Sequence, residues 1–204
     1  MALPDAPSRY EDLTSLSKAL DACSHEQRMA WVYRLDEPEQ RVLYDLALGQ
    51  NLSVDDLTAG EKQVVVHAGR NGLALFNRFE KHIALLGDEV VGYNNNDDIA
   101  GPFSFLLKRL IGPGHFIAYN GPDSDVWIDY RRIPTRRHPA FPPLIDNDHG
   151  TRALVFGNMV DKLRRVSTHV CIGDSLKNLS RPRTLMSRIG SKFPTATFVV
   201  VRRP

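Results

Sequence analysis

Residues 151–173 read TRALVFGNMVDKLRRVSTHVCIG, and the period assigned to this stretch decides the fold. Phe156, Met159/Val160, Leu163 and Val166 recur at three- and four-residue steps, while Asp161, Lys162, Arg164 and Arg165 fall mostly outside that stripe. This spacing predicts a helix near 153–168 with its apolar face turned inward. With the helix in place, the strand-like runs on either side become a small sheet packed against it.

Upstream, His115–Asn120 and Asp125–Ile133 have strand character, and the turn residues Asn120-Gly121-Pro122-Asp123 between them suggest a hairpin. In the second run Val126, Ile128 and Tyr130, with Arg132 as a further candidate, point one way, and Trp127, Asp129 and Arg131 the other. Pro134–Pro143 is a proline-rich loop that cannot sit inside a sheet. Downstream, Thr195–Arg202 is a closing strand whose Phe198-Val199-Val200-Val201 run suggests burial on both faces.

The N-terminal half reads as short helices. Leu13, Leu16, Leu20 and Cys23 recur at helical spacing; Ser24 with Gln27 fits a capping box, and Asp36 with Pro38 and Glu39 opens a second helix. Glu61–Leu86 has a helical pattern broken at Gly69-Arg70-Asn71-Gly72, Gly87–Pro102 a loop composition, and Phe103–Ile111 suits helix or strand. The expected fold class is α+β. An N-terminal short-helix layer, acidic and covering 1–88, packs on a small antiparallel sheet with one main helix in a basic, β-rich region over 112–204. Residues 89–111 connect the two within one integrated domain.

The repeated tripeptides Glu26-Gln27-Arg28 and Glu39-Gln40-Arg41 precede similar apolar runs, MAWVYRL and VLYDLAL. The resulting pair of short helices is similar to the superhelical domains of magnesium-transporter and flagellar-motor proteins, a resemblance covering about 35 residues and carrying no catalytic group. Val170-Cys171-Ile172 followed by Gly173-Asp174-Ser175-Leu176 resembles the nucleophile block of the GDSL esterases and lipases. That resemblance implies Ser175 as nucleophile and an Asp-x-x-His as acid and base. The chain's Asp-x-x-His is Asp146 to His149, which precedes the serine, and no histidine follows Ser175.

Other motifs narrow the chemistry. Asp146-Asn147-Asp148-His149-Gly150 starts like a calcium loop but has Gly150 and Gly157 where ligands are needed. There is no Cys-x-x-Cys, no His-Glu-x-x-His and no phosphate-loop spacing, so neither a metal nor a nucleotide cofactor is expected. Two cysteines and no recognisable leader point to a reducing cytoplasm, and no apolar run reaches membrane-span length.

Charge is the positive signal. Residues 1–100 hold 9 Lys and Arg against 17 Asp and Glu, a balance of −8, and residues 101–204 hold 17 against 7, a balance of +10. The split has three readings: mutual attraction of the halves, a basic half meeting an anionic ligand or polyanion, or two solvated surfaces. The candidate ligand-binding residues are Arg131, Arg132, Arg136, Arg137, Arg164 and Arg165, whose forks suit carboxylate or phosphate, with His115 and Tyr130 beside them. The expectation is a cytoplasmic, non-enzymatic binding protein, its basic half meeting an anionic small molecule or an acidic protein partner. Nucleic-acid binding, with Trp127, Tyr130, Phe141 and Phe193 available for stacking, is the second reading, and a Ser175 esterase the third.

Overall fold

The computed structural model describes residues 2–60, 63–72, 77–95, 112–177, 183–190 and 196–204. Its strands are β1 (Val65–Asn71), β2 (Arg78–Leu86), β3 (Glu89–Asn95), β4 (Gly114–Asn120), β5 (Val126–Asp129), β6 (Met159–Arg165), β7 (Val170–Lys177) and β8 (Thr197–Arg202). Each pairs antiparallel with the next, and β8 returns to β1, so the meander closes into an eight-stranded barrel. Closure leaves no edge strand open to another chain.

This corrects the α+β expectation. The main helix expected near 153–168 is one turn, α5 (Arg152–Val155), and then β6. The helical pattern over 61–86 becomes β1 and β2, so the helical region does not extend to residue 88, and the loop expected at 87–102 contains β3. Gly173-Asp174-Ser175-Leu176 is part of β7. The reason lies in the register. Asp161 stands opposite Ile128 and Ser175, and Leu163 opposite Gly173, so Met159, Asp161, Leu163 and Arg165 all face inward. Two polar residues on the inward face destroy the period-2 signal. Lys81, between Phe79 and Ile83, does the same to β2. Phe103–Ile111 lies outside the described residues.

Large side chains pack the interior among the described residues. Phe79, Phe116, Phe156 and Phe198 cluster with Ile83, Ile128 and Leu163. Glycines make room for the rings. A Cβ at Gly92 would come within 2.4 Å of the Phe116 ring, and one at Gly173 within 2.2 Å of Phe198. One end of the barrel carries the short turns 87–88, 121–125 and 166–169. It is plugged by α4 (Val54–Thr58), from which Leu57, with Leu52, joins the interior cluster. The opposite end carries the longer connections 96–113, 130–158 and 178–196, the last containing α6 (Leu185–Gly190).

The remaining helices coat the outside. Asp12 caps α1 (Leu13–Asp21), Ser24 and Gln27 form the capping box of α2 (His25–Val32), and Asp36 caps α3 (Glu37–Leu46). Each such cap stabilises its helix by about 1 kcal/mol. Leu16, Leu20, Trp31 and Leu43 pack on Val170, Ile172, Val199 and Val201 of β7–β8. The inner face of β8 lines the barrel and its outer face lies under the helices, which explains its unbroken apolar run. The expected hairpin is present as β4 and β5, with Ala118 opposite Ile128, but its second strand ends at Asp129 rather than Ile133. The proline-rich stretch crosses the outside of β2–β3, where Phe141 packs on Ala84 and Val91.

Candidate functional site

Five polar residues meet inside the barrel toward its loop-bearing end. Lys81 comes from β2, Asn94 from β3, Tyr130 from just beyond β5, Asp161 from β6 and Ser175 from β7. Lys81, Tyr130 and Asp161 are each 1% exposed. Lys81 Nζ lies 3.0 Å from Asn94 Oδ1, 2.6 Å from Tyr130 OH and 2.9 Å from Asp161 Oδ2. Tyr130 OH lies 3.0 Å from Asn94 Oδ1 and 3.2 Å from Asp161 Oδ2, and Ser175 Oγ donates to Asp161 Oδ1 at 2.8 Å. An ammonium has three N–H donors, and here all three have an acceptor. The rings of Phe79, Phe116 and Phe198 stand 4.7–5.6 Å from Nζ, adding cation–π attraction.

Burial lowers the pKa of Lys81 and the charge of Asp161 pulls it back up. Burial also raises Tyr130 well above the usual phenol range, and the neighbouring carboxylate adds to that rise. Tyr130 is therefore a neutral donor, not a tyrosinate. The cluster is a charged pair with its hydrogen-bonding capacity taken up by its own members. Asn147 Nδ2 holds the adjoining main chain by donating to the carbonyls of His115 (2.6 Å) and Tyr130 (2.7 Å).

The hydrolase triad is not assembled. Ser175 bonds to Asp161, whereas His149 Nδ1 lies 3.3 Å from Asp146 Oδ2, an oxygen that also takes Arg183 at 3.3 Å. Asp148 is held by Ser187 and Arg183. Among the described residues, no group of three or more His, Cys, Asp or Glu is placed to hold a metal ion.

The sequence-predicted ligand residues are dispersed over four places. Tyr130 is inside the barrel. Arg164 and Arg165 lie by the plugged end and turn to the N-terminal segment. Arg164 reaches Asp125 (3.3 Å) and the Tyr44 carbonyl (2.9 Å), and Arg165 reaches the Asn51 carbonyl (2.8 Å) and Asp56. These contacts, with the Thr168–Asp21 bonds, tie the barrel to the acidic helices. His115 is on the outer face of β4, Nε2 3.0 Å from the Pro143 carbonyl, and burial lowers its pKa.

The fourth place is the strap over 130–143. Arg131 grips Asp129 with two 2.8 Å bonds. Arg132 stacks over Tyr119 at 5.4 Å, Arg136 lies by Gly87, and Arg137 makes one long bond of 3.5 Å to the Phe141 carbonyl. Arg132, Arg136 and Arg137 are exposed, and among the described residues none has a carboxylate within ion-pair distance. Of the proposed stacking aromatics, Tyr130 and Phe141 are buried and Trp127 is half-buried under Lys162; Phe193 lies outside the described residues.

Sequence reasoning missed Lys81, Asn94, Asp161 and Asn147. The available signal was one polar residue flanked at i±2 by large apolar ones: Phe79-x-Lys81-x-Ile83 and Met159-x-Asp161-x-Leu163. No protein-family model, curated protein or solved structure matches the chain.

Proposed function

We propose that this chain is a non-enzymatic binding protein that uses the arginine strap over 130–143 to hold an acidic protein partner. One observation carries the reading: Arg132, Arg136 and Arg137 project from one proline-rich segment without a carboxylate partner among the described residues, while Arg164 and Arg165 are engaged within the fold. A guanidinium fork matches a carboxylate with two parallel hydrogen bonds, and three forks along one strap suit a run of Asp and Glu side chains. The strap lies on the outer surface of the barrel, which favours a partner surface over an enclosed small anion. Burial of Tyr130 and Phe141 weakens the nucleic-acid reading, since stacking platforms must be accessible. Buried, unpaired Cys23 and Cys171 are compatible with a reducing cytoplasm, which is part of the proposal. No described helix is long and apolar enough to cross a membrane.

The test is anisotropy with a fluorescent Glu/Asp-rich peptide and, in parallel, single-stranded DNA and RNA. The acidic peptide should bind at low salt and weaken as salt rises. The combined Arg132→Gln, Arg136→Gln, Arg137→Gln variant should lose about tenfold or more in affinity, ~1.4 kcal/mol. Equal binding by that variant, or tighter binding of nucleic acid than of peptide, overturns the reading.

A further inference from the structure

The plugged end of the barrel holds a second, separate feature. Between α4 and the ends of β6–β8 lies a cavity of about 10 Å³ whose lining includes Asp56, His67, Arg165, His169, Cys171 and Arg202. That volume holds a single water-sized occupant. Asp56 is the one carboxylate in the lining, and its Oδ2 already takes Arg165 together with the amide (2.8 Å) and hydroxyl (2.8 Å) of Ser53. Among the described residues Arg202 reaches only neutral acceptors: the Asp56 carbonyl at 3.4 Å and His169 Nδ1 at 3.2 Å. Accepting from Arg202 requires His169 to be unprotonated at Nδ1. His67 adds no charge near neutral pH, because burial drives its pKa down to about 4 against the opposing 2.8 Å bond between its Nε2 and the Leu57 carbonyl.

The lining therefore carries two guanidiniums against one carboxylate, an excess of one positive charge in a half-buried place. The buried Leu52 and Cys171 form an apolar wall that lowers the local dielectric and strengthens attraction for a counter-ion. A phosphate or a carboxylate is too large for the space. We propose that this cavity binds one small monovalent anion of chloride or bromide size between Arg165 and Arg202. Its occupant latches α4, through Asp56 and Arg165, to the ends of β6 and β8. The site is independent of the strap, since it shares no residue with it.

Thermal unfolding at matched ionic strength in sodium chloride and in sodium gluconate tests the site. Chloride should raise the melting temperature by about 2–4 °C, the range expected for a modest stabilisation of a chain this size. Arg202→Gln should abolish the increment, and Arg136→Gln with Arg137→Gln should keep it. Equal melting in the two salts, or an increment that survives Arg202→Gln, overturns the proposal. Should Arg202→Gln not fold, crystals of the unaltered protein grown in bromide decide the matter. An anomalous peak between Arg165 and Arg202 supports the site, and no peak there means that the cavity holds water.

Discussion

Lys81 and Arg136 carry the same charge in opposite settings. Lys81 sits in the barrel interior, its three N–H groups facing an amide oxygen, a phenol and a carboxylate. Arg136 sits on the outer strap, exposed and without a carboxylate partner among the described residues. The difference teaches which cation is structural and which is available. A buried charge persists only when its neighbours solvate it fully, and then it has nothing left to offer a ligand. An exposed charge costs little to keep and can be lent to a partner.

Breaking the interior pair should have the largest effect. Asp161→Ala leaves a buried ammonium without its counter-charge and should cost about 3–5 kcal/mol of stability in urea denaturation. The double replacement Lys81→Met with Asp161→Leu should recover most of that loss, because no unpaired charge remains. A cost for Asp161→Ala no greater than that of a strap variant would erase the distinction between the two regions.

The next effect is a pH dependence. His67, 3% exposed, has its pKa lowered by burial from 6.5 to about 4, with the hydrogen bond to the Leu57 carbonyl opposing the fall. Above pH 6.5 the folded and unfolded chains both hold a neutral imidazole, so nothing is lost. Between 6.5 and about 4 the unfolded chain takes up a proton that the folded chain refuses, and stability falls by up to about 3 kcal/mol. His67→Gln should flatten that part of the stability–pH curve. A curve that keeps its slope in the variant assigns the effect to other groups.

Ser175→Ala tests whether the serine belongs to the brace or to chemistry. It removes one donor to a buried carboxylate and should cost about 1–2 kcal/mol. The smallest effect is expected on the strap, where Arg136→Gln should change stability by no more than about 0.5 kcal/mol while weakening the acidic peptide. A larger loss would mean that the strap arginines are structural after all.

The residues that hid the fold are those that build the cluster. Local signals were readable where one physical rule acted alone. The Ser24–Gln27 capping box, the Asp36 cap, the β4–β5 hairpin with Val126 and Ile128 inward, and the doubly buried β8 all follow from nearby residues. Reading failed where the barrel interior accepts polar side chains. Lys81 and Asp161 interrupt the alternation of β2 and β6, leaving Met159, Leu163 and Val166 to imitate a helical stripe. Their partners lie 13, 49 and 80 residues from Lys81, at separations that no short window can connect. For the strap, the arginines were visible in the sequence. Their division into engaged and unengaged groups was not, because it depends on which of them reach Asp56, Asp125 and Asp129.

The most direct measurement is the ¹⁵N resonance of the Lys81 ammonium group near neutral pH. A buried, charged and fully bonded lysine should give a slowly exchanging –NH₃⁺ signal that is lost or broadened in Asp161→Asn and unchanged by the strap substitutions. A fast-exchanging signal, or the shift of a neutral amine, would contradict the assignment of Lys81 as a saturated brace. It would leave a reactive amine inside the barrel instead.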